Sequence, residues 1–437
     1  MAAAGGKGLR RPLLCSPGRA GRFACDNAVG MRAGDSTETG ATRGVRRLGV
    51  VPALDGLRGV AVLLVVAYHF RHLLDPWTTH YVRRVTVSRL PGGVVHRVTH
   101  RVLVLRIHPK PFFGSLMPKG GSLGVDIFFV LSGFLITALL LREHASAGRI
   151  NFGGFYRRRA LRLLPALFLF VAAQLTYSII THGQWAAERG AVVSIVFYFW
   201  NWRLFYTYPA VPKGLAHLWS LSVEEQFYIV WPLIVALCIV ARRRVSAVIA
   251  TMAAGIAAVA IWRAVLARHD NLVLLYFRTD VRADALLVGA LTAYLWTRGL
   301  VPPKRLLVPA AWIALVFVTV CVIRFESTAH FLFDGGFTAV AIGVAIMLLA
   351  IVEADWCSKH LLTFAPLRAV GRVSYGLYLW HFFVFTIVAQ KMGAYSTTER
   401  IATAFGITTA ATLFSWFVVE QRFLRRKHRV AKVAAGA

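Results

Sequence analysis

Residues 54–70 read LDGLRGVAVLLVVAYHF, and this stretch decides the class of fold. Its centre is continuously apolar, yet it carries Arg58 near one end and His69 near the other. A helix needs about 20 mostly apolar residues to cross a bilayer, and an ionisable side chain within it costs about 2.5 kcal/mol or more. The stretch therefore predicts a membrane-spanning helix in which Arg58 and His69 require an explanation.

The spacing of these two residues places them on one face of the predicted helix. Arg58 and His69 are eleven positions apart, which corresponds to about 16 Å along the axis and about 20° beyond three full turns. Arg58 by itself would be interpreted as an interfacial anchor. A buried imidazole, however, titrates near neutrality and can accept a proton from a hydroxyl or carry an acyl group. The two residues therefore predict that this helix contributes to a catalytic site.

The composition of the whole chain is that of a multi-pass membrane protein. Of its 437 residues, 57% are hydrophobic and only 16% are charged, well below the roughly 25% of a soluble domain. The net charge of +31 fits cytoplasmic loops that face anionic membrane lipids. Nucleic-acid binding is not expected, because no basic segment is interleaved with stacking aromatic residues. The five scattered cysteines predict neither a disulfide framework nor a metal site.

Ten apolar segments predict spanning helices. They lie near residues 56–75, 121–141, 163–181, 221–241, 245–266, 283–298, 306–323, 336–353, 373–390 and 401–420. An additional stretch, 190–206, is shorter and carries Asn201 and Arg203. These segments predict an all-α integral membrane protein of about ten transmembrane helices.

The distribution of basic residues sets the predicted orientation, because loops rich in Lys and Arg stay in the cytoplasm. Four basic clusters serve as markers: 142–162, 242–244, 298–305 and 422–429. All four fall on the cytoplasmic side only if 190–206 does not cross the membrane. We therefore predict that 190–206 is re-entrant or interfacial, that both termini are cytoplasmic, and that the protein lies in the inner (plasma) membrane. An ordinary eleventh span is the alternative.

The predicted membrane domain covers residues 49–426. Residues 1–48, rich in Gly, Ala, Arg and Ser, are expected to form a disordered basic tail, and residues 427–437 a cytoplasmic tail. Residues 76–120 fall on the outer side although they contain many Arg and His residues and a strand-like run at 102–107. Since long loops obey the charge rule poorly, we expect 76–120 to be an extracytoplasmic insertion.

Five motifs follow one another along the chain. They are Arg58 with His69, GVDIFFVLSGFLI at 124–136, RALRLLP at 159–165, HLWSLSVEEQFY at 217–228 and SYGLYLWH at 374–381. In these residues the sequence resembles the acyltransferase 3 family of bacterial membrane O-acyltransferases, over residues 52 to about 426. The resemblance implies an acyl-CoA donor, above all acetyl-CoA, reached from the cytoplasm. It also implies a hydroxyl acceptor on an envelope glycan, glycolipid or lipid, or on a macrolide.

Three arginines are candidates for donor binding. Arg58, Arg159 and Arg162 lie at the predicted cytoplasmic surface, where guanidinium groups can hold the phosphates of coenzyme A in bidentate fashion. Simple positive-inside charge is the alternative interpretation. No permanently bound cofactor and no metal are expected.

His69 is the candidate catalytic residue, either as a base or as a covalent acyl carrier. A carboxylate that orients the imidazole is expected, as in other acyl-transfer sites. We favour Glu224 over Asp126 for this role, with the capping of a helix start as the alternative for either. His217 is placed at the same outer end as Glu224, and His381 is either a second polar lining residue or a satisfied core histidine.

A transporter or flippase of a lipid or carbohydrate is the rival class of function, since intramembrane Arg, His and Glu also line transport paths. Transporters often contain inverted repeats, and the pattern of the first span is not repeated in this sequence. The sequence leaves open the acceptor, the acyl chain length and the oligomeric state.

Overall fold

A computed structural model describes most of the membrane domain. The described residues are 46, 49–74, 78–89, 95–106, 118–181, 185–208, 212, 214–241, 243–354, 356 and 358–425. The predicted tails lie outside these residues, apart from Arg46. Part of the predicted insertion at 76–120 also lies outside them.

Helices make up most of the part of the membrane domain that the structure describes. In chain order they are α1 (Pro52–Leu74), α2 (Gly124–Ala147), α3 (Phe152–Ile180), α4 (Trp185–Val196), α5 (Trp200–Thr207), α6 (Trp219–Val240), α7 (Val245–Leu266), α8 (Leu272–Leu275), α9 (Ala283–Thr297), α10 (Lys304–Arg324), α11 (Phe337–Glu353), α12 (Ser358–Leu362), α13 (Ala365–Arg372), α14 (Ser374–Lys391) and α15 (Thr397–Phe414). A π-helical turn, Leu332–Gly336, precedes α11, and another, Ser415–Glu420, follows α15.

Among the described residues, eight helices are long and apolar enough to cross a membrane, so the chain is a multi-pass membrane protein. Helices α13 and α14 form a ninth candidate that is bent by 74°. Helix α9 is apolar but has 15 residues, fewer than the roughly 20 needed to span. Each of the ten predicted segments thus coincides with a helix, but the number that cross stays a prediction.

The stretch 190–206 forms parts of two helices and not one. Helices α4 and α5 have 12 and 8 residues, too few for either to cross a bilayer. The break between them contains Tyr198, which has a positive φ of 58°. This shape agrees with the prediction that 190–206 does not form an ordinary span.

A β-hairpin adds two strands to the predicted all-α chain. Strands β1 (Thr78–Arg89) and β2 (Val95–Arg106) pair antiparallel, with Thr78 opposite Arg106. Both segments are rich in Val and Thr, which favour strands. The strand-like run seen in the sequence at 102–107 falls largely within β2.

Close glycine contacts fix the position of α1 in the bundle. A Cβ atom on Gly56 would lie 1.8 Å from the carbonyl oxygen of Leu362, at the end of α12. A Cβ atom on Gly371, in α13, would lie 1.7 Å from the carbonyl oxygen of Asp55. Small residues allow such close backbone approach between membrane helices. The half of α1 that carries Arg58 is therefore held tightly against α12 and α13.

Two buried ion pairs join α2, α7 and α9. Arg263 lies 2.8 Å from Asp284, and Arg282 lies 2.9 Å from both carboxylate oxygens of Asp126. The guanidinium of Arg282 also lies 3.7 Å from the ring centroid of Phe337. All four charged side chains are at most 1% exposed, as expected where an unpaired charge would be expensive. Asp126, the second acid considered for orienting His69, is therefore the partner of Arg282.

We expect the Asp126→Leu substitution to destabilise the protein by about 3–5 kcal/mol, because it leaves the Arg282 charge buried without its carboxylate. The double substitution Asp126→Leu with Arg282→Met should recover most of this loss, since both charges are then removed. Thermal unfolding of the purified protein in detergent measures both effects. A double variant no more stable than Asp126→Leu would show that the ion pair is not the source of the loss.

Candidate active site

A cavity of about 380 Å³ lies between α1, α2, α3, α6 and α14. Five arginines and two glutamates line it, a formal balance of +3, together with aromatic and apolar side chains. The charged lining residues are Arg58, Arg142, Arg158, Arg159, Arg162, Glu224 and Glu225. Because opposite charges attract strongly away from bulk water, the cavity suits an anion with several negative groups.

The structure brings the three predicted donor-binding arginines together in this cavity. Arg159 and Arg162 are three positions apart on α3, so both side chains project from one face of the helix. The guanidinium of Arg159 lies 4.0 Å from the ring centroid of Tyr228 on α6, a favourable cation–π contact. Arg58 reaches the same cavity from α1 and lies 3.5 Å from Asp55, one turn earlier.

Glu224 belongs to this arginine cavity and accepts hydrogen bonds from the hydroxyls of Ser132 and Tyr228. The prediction placed Glu224 at the outer end of its span beside His69. The helical segment begins earlier than predicted, at Ala216 in place of 221, so Glu224 lies about 10 Å along the axis from His217. The structure thus corrects the expected position of Glu224.

His69 lies at the centre of a cluster of three histidines. Its Nδ1 atom lies 3.0 Å from Nε2 of His381 on α14. The ring centroid of His217 is 6.3 Å from that of His69 and 5.2 Å from that of His381. His217 is 3% exposed and His381 is not exposed at all. One hydrogen-bond partner of His69 is therefore a histidine, where the sequence favoured a carboxylate.

Phe382 covers one side of this cluster. Its ring centroid lies 4.4 Å from that of His69 and 5.3 Å from that of His217. An aromatic cover limits the access of water to the imidazoles. His217 and His381 are buried, whereas His69 is half-buried, so the cluster is shielded on one side and partly accessible at His69.

Tyr378 connects the arginine cavity to the histidine cluster. Its hydroxyl donates to the carbonyl oxygen of His217 at 2.6 Å and lies 2.6 Å from the hydroxyl of Ser220. Both Tyr378 and Ser220 line the cavity, while the Tyr378 ring centroid is 5.6 Å from that of His381. One layer of side chains therefore separates the cavity from the histidines. The arrangement can hold an anion at one end and carry out proton transfer at the other.

Comparison with known proteins gives a consistent set of similarities. A family model described as an acyltransferase domain matches residues 51–420. The chain is 30% identical over 363 residues to the putative peptidoglycan O-acetyltransferase YrhL of Bacillus subtilis, a match that covers 78% of this chain and 50% of that protein. It is 31% identical over 359 residues to the peptidoglycan O-acetyltransferase OatA of Listeria monocytogenes, with 78% and 50% covered.

The chain spans about half the length of the curated relatives that it matches. A putative O-acetyltransferase of Staphylococcus aureus gives the same result, with 29% identity over 359 residues, 78% of this chain and 52% of that protein. No solved structure gives a significant match.

Proposed function

The chain belongs to this family of acyltransferases, and from that premise we propose that it is a membrane O-acyltransferase that uses a cytoplasmic acyl-CoA, chiefly acetyl-CoA. The acceptor is a hydroxyl of an envelope glycan or glycolipid. The observation that carries the proposal is an arginine-lined cavity that ends one side-chain layer from a cluster of three histidines. The relatives named as peptidoglycan O-acetyltransferases support a glycan acceptor.

The donor binds at the arginine end. Arg58, Arg159 and Arg162 hold the phosphates of coenzyme A, since planar guanidinium groups match phosphate oxygens in bidentate geometry. The basic clusters of the sequence support a cytoplasmic position for this end. The pantetheine arm then extends past Ser220 and Tyr378 and brings the thioester carbonyl toward the imidazoles.

The acyl group is transferred at His69. The imidazole removes the proton from the acceptor hydroxyl, and the hydroxyl oxygen forms a bond to the thioester carbonyl carbon. The carbon–sulfur bond breaks, the thiolate of coenzyme A leaves, and the proton held by His69 neutralises it. A route through an acyl group carried on His69 uses the same residue in a different role.

Transport of a lipid or carbohydrate is less well supported. Arginines and histidines inside a membrane can line a transport path, but family membership and the names of the relatives both point to acyl transfer. The relatives named as peptidoglycan O-acetyltransferases favour an envelope glycan over a macrolide as the acceptor.

We expect the double substitution Arg159→Gln with Arg162→Gln to weaken acetyl-CoA binding by roughly tenfold or more, since each lost charge-assisted hydrogen bond is worth about 1.5–3 kcal/mol. The dissociation constant of the purified protein for coenzyme A, measured by calorimetry, checks this. Arg305→Gln is the matched control, because Arg305 is an exposed arginine in α10 outside the cavity lining. Equal affinity in wild type and the double variant would contradict the donor site.

His69→Ala is expected to abolish the acyl esters that wild-type protein adds to the envelope. Mass spectrometry of glycans and lipids from cells that express wild type, His69→Ala or no protein makes the comparison. His360→Ala serves as the control, because His360 is exposed in α12. Cells with His69→Ala that keep every wild-type ester would show that His69 is not the catalytic residue.

A further inference from the structure

The hydrogen bonds of His381 fix which of its ring nitrogens carries a proton. Its Nδ1 atom lies 3.0 Å from the carbonyl oxygen of Leu377 and 2.8 Å from that of Tyr378. A carbonyl oxygen can only accept, so Nδ1 of His381 must donate. The side chain is fully buried, and a cation buried away from water is costly without an anion beside it. His381 is therefore neutral, and its Nε2 atom is an acceptor.

This assignment determines the tautomer of His69. Nδ1 of His69 lies 3.0 Å from Nε2 of His381, and because that Nε2 accepts, Nδ1 of His69 donates. A neutral imidazole has a single N–H group. Nε2 of His69 therefore bears the lone pair, and it is the nitrogen able to take up a proton.

We propose that His381 is a positioning residue, which holds the His69 ring in the orientation and tautomer that make Nε2 the base for acyl transfer. The use of this base rests on the proposed function, whereas the tautomer itself does not. In serine hydrolases a carboxylate performs the equivalent task for the catalytic imidazole. In this protein a neutral histidine performs that task, and its own Nδ1–H group donates to two backbone carbonyl oxygens of α14.

The arrangement also stabilises His69 after it accepts the hydroxyl proton. The new cation keeps its Nδ1–H bond to His381, whose lone pair faces it. His381 in turn directs its own N–H to the carbonyl oxygens of Leu377 and Tyr378, so the dipoles along this chain of hydrogen bonds are aligned with the positive charge. The proton later leaves from Nε2 to the departing thiolate, and both histidines return to their starting state.

Among the residues that the structure describes, three other titratable side chains have rings close to those of the pair. His217, before α6, has its ring centroid 6.3 Å from that of His69 and 5.2 Å from that of His381. The ring centroid of Tyr378, on α14, lies 5.6 Å from that of His381. The ring centroid of Tyr68, on α1, lies 5.2 Å from that of His69. Nε2 of His217 lies 3.2 Å from the carbonyl oxygen of Leu379 and donates to it. The hydrogen-bond contact to Nδ1 of His69 comes from Nε2 of His381.

Solid-state ¹⁵N NMR of protein labelled with ¹⁵N-histidine in bilayers tests the tautomer directly. The His69 signals are identified by their loss in His69→Gln. We expect the proton of His69 on Nδ1 in wild type and in His381→Gln, because the glutamine amide oxygen can accept in place of Nε2. In His381→Phe we expect both tautomers of His69 to be populated, because phenylalanine offers no acceptor to Nδ1. A wild-type His69 with its proton on Nε2, or no change in His381→Phe, would overturn the proposal, and neither result depends on any acyl transfer.

Kinetics of the same variants tests the role in the reaction. For His381→Phe we expect kcat to fall about 100-fold with unchanged coenzyme A affinity, in line with losses of the partners that orient catalytic groups. The acid limb of its pH profile should move to lower pH, because protonated His69 has lost the acceptor that stabilised it. For His381→Gln we expect a kcat within about tenfold of the wild-type value. An acid limb that stays in place in His381→Phe would indicate a packing role only.

Discussion

A membrane interior tolerates an ionisable side chain only if that side chain is paired, neutral or exposed to a polar cavity, and this constraint organises the whole structure. Arg263 with Asp284 and Arg282 with Asp126 satisfy it by pairing. The arginines of α3 satisfy it by facing a shared cavity. The buried histidines satisfy it through hydrogen bonds that suit the uncharged imidazole. The ion pairs, the arginine cavity and the histidine cluster lie in different parts of the bundle. The ion pairs that stabilise the fold are therefore separate from the polar groups of the candidate site.

Helix α1 links the two ends of the site because it carries both Arg58 and His69 without interruption. Its glycines let α12 and α13 approach the backbone near Arg58, while His69 meets α14 through His381. In the proposed reaction, this single helix sets the distance between Arg58, at the phosphate end of the donor site, and His69, where the acyl group is transferred. Transfer depends on such fixed spacing, since small errors in position reduce rates strongly.

The sequence allowed prediction of the helical segments and of three of the five arginines that line the cavity, because apolar runs and charge clusters are local signals. Helix pairing is not local. Ser132 and Glu224 meet across 92 positions, and His69 and His381 across 312, so the sequence could not show which polar groups would become neighbours. That is why Glu224 was expected beside His69 and Asp126 was a second candidate. The sequence offered His381 as a second polar lining residue or a satisfied core histidine, and the positioning role proposed for it rests on two carbonyl contacts that are visible only in the fold.

The most direct measurement of the central claim uses membrane vesicles of known orientation and radiolabelled acetyl-CoA, which does not cross a bilayer. If the arginine cavity opens to the cytoplasm and leads to His69, inside-out vesicles should transfer label to an endogenous glycan or glycolipid. Right-side-out vesicles should do so only after permeabilisation. Equal transfer by intact vesicles of both orientations, or transfer by right-side-out vesicles alone, would contradict a donor path from a cytoplasmic arginine cavity to the buried histidines.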